Sequence, residues 1–116
     1  MSELKHYQIL IFLSPQEGKE DEFHEWYEHT HLDDVLRTTE TFTTAQRFGV
    51  VHQVGMEQPN SHLAIYDCMA ESAEAAMADL NARRGDRDMT GPLDATNVAM
   101  WVVEPLSPQR TKPAEE

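Results

Sequence analysis

HYQILIFLS, residues 6–14, carries apolar side chains in both of its alternating registers, with Tyr7, Ile9, Ile11 and Leu13 set against Gln8, Leu10 and Phe12. A half-exposed strand alternates apolar and polar residues. A run that is apolar on both sides is expected where a strand is covered on two faces. The sheet that contains this strand therefore needs helices on one face and a second cover on the other.

Outward from that strand, SPQEGKEDE (14–22) supplies a turn and an acidic helix start that complements the helix dipole. From Glu20 the spacing is helical, with Phe23, Tyr27, Thr30 and Asp34 along one stripe. Leu32, Val35 and Leu36 fall off that stripe, which predicts a bend or a second short helix near Thr30–His31. The run FTTAQRFGVVHQV (42–54) is rich in Thr, Val and aromatics and reads as a strand. GMEQPNS (55–61) is a loop, and HLAIYDCMA (62–70) is a third strand. ESAEAAMADLNARRG (71–85) is a second helix. Ser72 is its expected cap, Ala73, Ala76, Met77 and Leu80 its apolar face, and Gly85 its close. DRDMTGPLDAT (86–96) is a loop and NVAMWVVEPL (97–106) holds the fourth strand.

The order is β-α-β-β-α-β, which predicts an α+β, ferredoxin-like fold: a four-stranded antiparallel sheet with two helices on one face. Residues 1–106 form the single expected domain, and the polar, proline-containing SPQRTKPAEE (107–116) a flexible tail. Because strands one and four (Met100, Trp101, Val102) are apolar in both registers, a second copy of the chain is the economical cover for the open sheet face. The expectation is a homodimer.

The 116 residues hold 9 basic and 21 acidic side chains, a net charge of −12. Such a surface repels phosphate backbones and anionic lipid, so neither nucleic acid nor membrane is an expected partner. No segment approaches the ~18 apolar residues of a membrane span, and MSELKHYQ lacks the marks of a signal peptide. The single Cys68 suits a reducing compartment, and the expected location is cytoplasmic. Cys68 has no base nearby in sequence and reads as an ordinary buried thiol.

EFHEWYEHTHLDDVL (22–36) followed by FTTAQRF (42–48) resembles the dimeric α+β barrel proteins, particularly the EthD-like group. The matching positions are Phe23, Trp26, Tyr27, His31, Leu32, Asp34 and Leu36 in the helix, then Ala45, Arg47 and Phe48 in the strand. The resemblance extends over residues 6–105. Relatives often carry Pro-Gly-Phe before the second strand, where this chain has Glu40-Thr41-Phe42. The resemblance implies two ferredoxin-like subunits joined in a barrel. For activity it implies a range: cofactor-free cyclases, lactone isomerases, dehydratases, simple monooxygenases, haem enzymes and proteins without known activity. Fold alone does not choose among these.

Tyr27 and His31 lie at i,i+4, one above the other on a helix face. Imidazole can take a proton from an acidic carbon or hydroxyl, and a phenol can donate to an oxygen that becomes negative. The bland alternative is a boundary histidine bonded to a carboxylate such as Asp34, with Tyr27 filling the core. Resemblance at both positions favours the catalytic reading. Arg47 shares a strand face with Ala45 and Gly49. On a helix-facing side it could hold a substrate carboxylate or phenolate, the competing reading being a salt bridge to an acidic neighbour. His62 and Tyr66 share parity on the third strand, so both could line one cavity; His52, near a strand end, reads as exposed. Trp26, with Trp101 and Met100, belongs to core or dimer interface, and Trp26 becomes substrate-binding if the cavity is aromatic-lined. Asp86, Arg87 and Asp88 read as a charged surface loop that could cover a pocket mouth.

His24, Glu28 and His31 at i, i+4 and i+7, with the H-x-H of His29 to His31, raise the question of zinc or iron. Neither HExxH nor a finger spacing is present, and a solvated acidic helix flank is the simpler reading. No metal or cofactor is expected. The first functional expectation is thus a cofactor-independent lyase, cyclase or isomerase. It would act on a small, mostly apolar aromatic or polyketide-like compound, with His31 as general base, Tyr27 at the developing oxyanion and Arg47 as anion anchor. The alternatives are a non-catalytic ligand-binding or accessory dimer in a catabolic pathway, and a cofactorless or haem-dependent oxygenase.

Overall fold

The doubly apolar run becomes β1 (Lys5–Leu13), the second strand from one edge of the sheet. A computed structural model of the chain describes residues 3–114; the first two residues and the last two of the expected tail lie outside the described residues. After β1 come α1 (Glu20–Trp26), a π-helical turn (Tyr27–His31), α2 (Leu32–Thr38), β2 (Phe42–Gly49), β3 (His62–Ala70), α3 (Ala73–Ala82), a 3-10 turn (Arg84–Asp86) and β4 (Ala99–Val103). The strands form one sheet in the order β2-β3-β1-β4, every neighbouring pair antiparallel. This is an α+β arrangement compatible with the ferredoxin-like fold.

Register sorts the side chains by face. Ile9 pairs with Tyr66 and Val102, and Ile11 with Ala64 and Met100. With Tyr7, Leu13 and Cys68 these make the helix-facing side, where Ile9, Tyr66 and Cys68 are fully buried. Burial pushes the Cys68 thiol up, away from the reactive thiolate form. On the other face Leu10 pairs with Ile65 and Trp101, and Phe12 with Leu63. No described helix covers that side: Trp101 is 55% exposed and Phe48 40%. Its other half is polar, with the Asp67 carboxylate accepting from Gln8 and Thr44 and bonded to His6 at 2.7 Å.

Two boundaries differ from expectation. β2 stops at Gly49 and does not run on to Val54, because its partner begins only at His62; after one more bond, Val50 N to Ser61 O, Val51 and Val54 stand in solvent. β4 (Ala99–Val103) falls inside the stretch expected to hold it. Gly85 does not close α3 in the left-handed region, since Gly18 and Gly55 are the only positive-φ residues described. The helix ends at Ala82 and a 3-10 turn follows, tied by Arg83 Nε donating to Asp86. Ser72 does cap α3, its hydroxyl accepting from Ala75 N at 3.0 Å.

The expected bend takes the form of the π turn. Leu32 N donates to Tyr27 O, five residues back, so one extra residue enters the turn. Everything downstream is rephased by about one position. The stripe that would continue from Phe23 and Tyr27 through Thr30 and Asp34 continues through His31, Val35 and Thr38, with Val35 and Thr38 buried. His31 stays beside Tyr27, as its i,i+4 spacing requires, and the π turn brings Val35 and Thr38 round to continue that face.

Candidate active site

A cavity of ≈ 420 Å³ lies between the helical layer and the β1–β4 half of the sheet. Ile11 and Leu13 of β1, Val35 of α2, Leu80 of α3, Met100 of β4 and Leu93 form its apolar walls. Its polar lining comprises Tyr27, His31, Asn81, Arg84 and Arg87. Size and composition suit a small organic molecule.

The loop between α3 and β4 closes one side and is pinned at several points. Asp88 N donates to Asp34 Oδ2 at 2.9 Å, and Trp26 Nε1 donates to Asp88 O at 2.9 Å. Gly91 lies so close under the Trp26 indole that a Cβ there would fall 1.9 Å from Cδ2. Further along, Gln16 N bonds to Pro92 O, Asp94 N bonds to Ser14 O, and Pro15 bridges Leu93. Asp34 is thus a loop anchor, also paired with Arg37 at 2.7 Å. The Arg37 hydrogen bond, then the Asp88 backbone, hold its carboxyl below the usual range. It makes no hydrogen bond to His31.

His31 is stacked on Trp26 (ring centroids 4.6 Å, 29° between planes) and meets Tyr27 edge-on at 4.8 Å. Its Nδ1 is buried without a hydrogen-bond partner. Burial, then the Arg87 charge, lowers its pKa from 6.5 to about 4, with Asp34 acting the other way. The ring is neutral at physiological pH. Tyr27 is 1% exposed, and its hydroxyl is 3.2 Å from that of Tyr66. Burial, reinforced by Tyr66, raises the Tyr27 pKa well above 10, and burial pushes Tyr66 to about 12. Both phenols stay protonated. In a pair of hydroxyls one proton lies between the two oxygens and the other remains free to donate.

Of the residues singled out from sequence, the cavity collects Tyr27 and His31, with Arg87 and Met100. Trp26 and Tyr66 stand behind the first pair as buttresses. Arg47 pairs with the buried Ala64 and so faces the helices, but it lies outside this cavity and lines a separate one of ≈ 450 Å³ together with His62, His24 and Glu28. Its Nη2 donates to His24 Nδ1 at 2.8 Å, and its Nη1 is 3.7 Å from Glu28. His62 packs against His24 at 5.0 Å and Phe23 at 5.2 Å in that same cluster. Burial, then His24, lowers its pKa. His29 lies 3.8 Å from Glu25 on the exposed flank. Among the described residues no three His, Cys, Asp or Glu side chains converge as metal ligands. Arg87, read from sequence as part of a charged surface loop that could cover a pocket mouth, lines the cavity and donates from Nε to Thr38 Oγ1 at 2.7 Å.

No family model matches the chain, and neither do the curated proteins or the solved structures compared with it.

Proposed function

We propose that the chain is a cofactor-independent enzyme of the lyase, cyclase or isomerase kind, acting on a small, largely apolar aromatic or polyketide-like compound in the ≈ 420 Å³ cavity. The observation that carries this reading is the neutral His31 imidazole, its Nδ1 without a partner, in the cavity wall beside the Tyr27 phenol. The step is a proton transfer. His31 takes a proton from a carbon next to a carbonyl, the C–H electron pair moves into the enolate, and Tyr27 donates a hydrogen bond to the enolate oxygen. His31 then returns the proton to carbon or to a departing oxygen. No external oxidant or reductant is needed.

A second copy of the chain completes the unit on this reading, covering Leu10, Phe12, Ile65, Phe48 and Trp101, and joining two sheets into the dimeric α+β barrel that the EthD-like resemblance implies. The exposed aromatic residues on that face support it. Sedimentation at micromolar concentration checks this, and a monodisperse monomer contradicts it. No described helix is long and apolar enough to cross a membrane.

The pKa of about 4 at His31 favours a second reading, a ligand-binding dimer without turnover, because a general base is best matched near the working pH. Deuterium exchange separates the two. The protein is incubated in D2O with 1-phenylbutane-1,3-dione, whose central carbon is acidic, and exchange is followed by NMR. The enzyme reading expects accelerated exchange that His31→Ala removes. Exchange no faster than in buffer, or unchanged in His31→Ala, sinks it.

A further inference from the structure

Two side-chain polar atoms among the described residues are buried without a hydrogen-bond partner, His31 Nδ1 and Arg87 Nη2, and both residues line the same cavity. Leaving a guanidinium nitrogen unpaired away from water is costly, and in an acidic chain a carboxylate is the obvious partner. Elsewhere this chain supplies one: Arg37 pairs with Asp34, Arg83 with Asp86, and Arg47 with Glu28. Arg84 and Arg87, both on the cavity, have no described carboxylate within 4.0 Å. Arg87 is fixed in place, since Nε is engaged by Thr38 Oγ1, which itself donates to Asp34 O at 2.7 Å. A guanidinium held by one edge, with an orphaned donor on another, is prepared for an acceptor that comes from outside the chain.

We infer that Arg87, assisted by the exposed Arg84, binds the carboxylate of an otherwise apolar small molecule, so that the ligands of this cavity are organic acids. The inference rests on the reading of the cavity as the substrate site and adds the ligand's charge. Ile11, Leu13, Val35, Leu80 and Met100 receive the apolar body, while Arg87 fixes one end of it relative to His31 and Tyr27. A bound carboxylate also offsets the Arg87 charge that disfavours protonation of His31, easing the proton transfer proposed above. Arg47, held by His24 and Glu28, is not available for this part.

The test compares 2-naphthoate with its neutral counterpart 2-naphthamide by isothermal titration calorimetry. The wild-type chain should bind the acid at least ~10-fold more tightly than the amide. Arg87→Gln should abolish that preference while amide binding stays within about 2-fold, which shows the cavity intact. If Arg87→Gln loses the amide as well, Arg87→Lys decides. A preference reduced in Arg87→Lys supports the assignment, because a point charge lacks the planar fork, and an unchanged one overturns it. Equal affinities in the wild type, a preference that survives Arg87→Gln, or failure of both probes to bind also overturn it. The acid preference with no diketone exchange leaves the anion site standing and removes the enzyme. Exchange without the preference does the reverse.

Discussion

The two ends of the space beneath the first helical layer contain the same chemical groups in opposite conditions. At one end Arg47, His24, His62 and Glu28 meet, and the guanidinium is satisfied by an imidazole nitrogen at 2.8 Å and a carboxylate at 3.7 Å. At the other, His31 and Arg87 each keep a buried nitrogen without a partner beside a ≈ 420 Å³ cavity. Histidine plus arginine is therefore not by itself a signature of function. The Arg47 cluster also borders a pocket, of ≈ 450 Å³, but it is chemically closed: its hydrogen bonds are already in place and a guest must compete with them. An open cluster is left with a desolvation cost that a ligand can offset.

The largest expected effect tests that contrast through chemistry. His31→Ala should slow catalysed diketone exchange by roughly 10²–10⁴-fold, the usual worth of a positioned acid–base group. His24→Ala, at the closed end, should stay within about 3-fold. Comparable losses in both variants would mean that the histidines support the fold in common and that the open site is not special.

Acid stability comes next. In the folded chain His31 titrates near 4, against 6.5 for the free side chain. Between those values the unfolded chain binds the proton more tightly, so stability rises with pH across this window. The His31 contribution is fully present above about pH 6.5 and is lost as pH falls to about 4, roughly 3 kcal/mol in all. His62 is shifted the same way and adds to the slope. Asp34, Asp67 and Asp79 are held below the usual carboxylate range, so their losses begin at lower pH. Urea unfolding at pH 7 and 4.5 should show the His31→Phe protein losing markedly less stability than wild type. Equal losses would put His31 in contact with water.

Gly91 and Gly49 carry the comparison to the backbone. A Cβ at Gly91 would fall 1.9 Å from the Trp26 indole, the ring on which His31 is stacked, whereas one at Gly49 meets nothing within 4 Å. Gly91→Ala must displace either the indole or the loop carrying Arg87. It should cost about 1–3 kcal/mol in denaturant unfolding and weaken naphthoate binding. Gly49→Ala should change stability by less than about 0.5 kcal/mol. An Arg87 loop indifferent to Gly91→Ala would not be held by this packing.

The sheet was legible because strand signals are local: short apolar runs bounded by turn residues mark β1 and β3 closely, and the β-α-β-β-α-β order restricts the topology. Strand parity also grouped His62 with Tyr66 and Arg47 with Ala45, leaving open which face turned to the helices; pairing with β1 decides that. Parity does not say which end of the cleft a residue reaches, and that separates Arg47 from His31. The π turn was visible only as a broken stripe, since no residue type encodes an i to i−5 bond. Arg87 was the least legible. It lies in a loop without periodicity and takes its place from Thr38, 49 positions away, and from the closure of Gly91 under Trp26. The usable hint was three arginines within five positions, 83–87, after a helix of an acidic chain.

The smallest expected effect is the sharpest check on the division between the two ends. Arg47 lies with its guanidinium carbon 5.8 Å from the Phe23 ring centroid and 5.3 Å from that of Tyr27, so the charged head itself packs over those rings and the side chain is only 16% exposed. Arg47→Met keeps an apolar stem and removes the charge, the bond to His24 and the contact with Glu28. Such a pair and the cation–π contacts each contribute about 0.5–1 kcal/mol, and the retained apolar stem offsets part of the loss, so unfolding should shift by about 1–2 kcal/mol. Naphthoate should still be preferred over naphthamide, because the carboxylate is held at Arg87. Should Arg47→Met erase that preference instead, the strand arginine would be the anion anchor after all, and its pairing with His24 and Glu28 would be a resting arrangement that a ligand displaces.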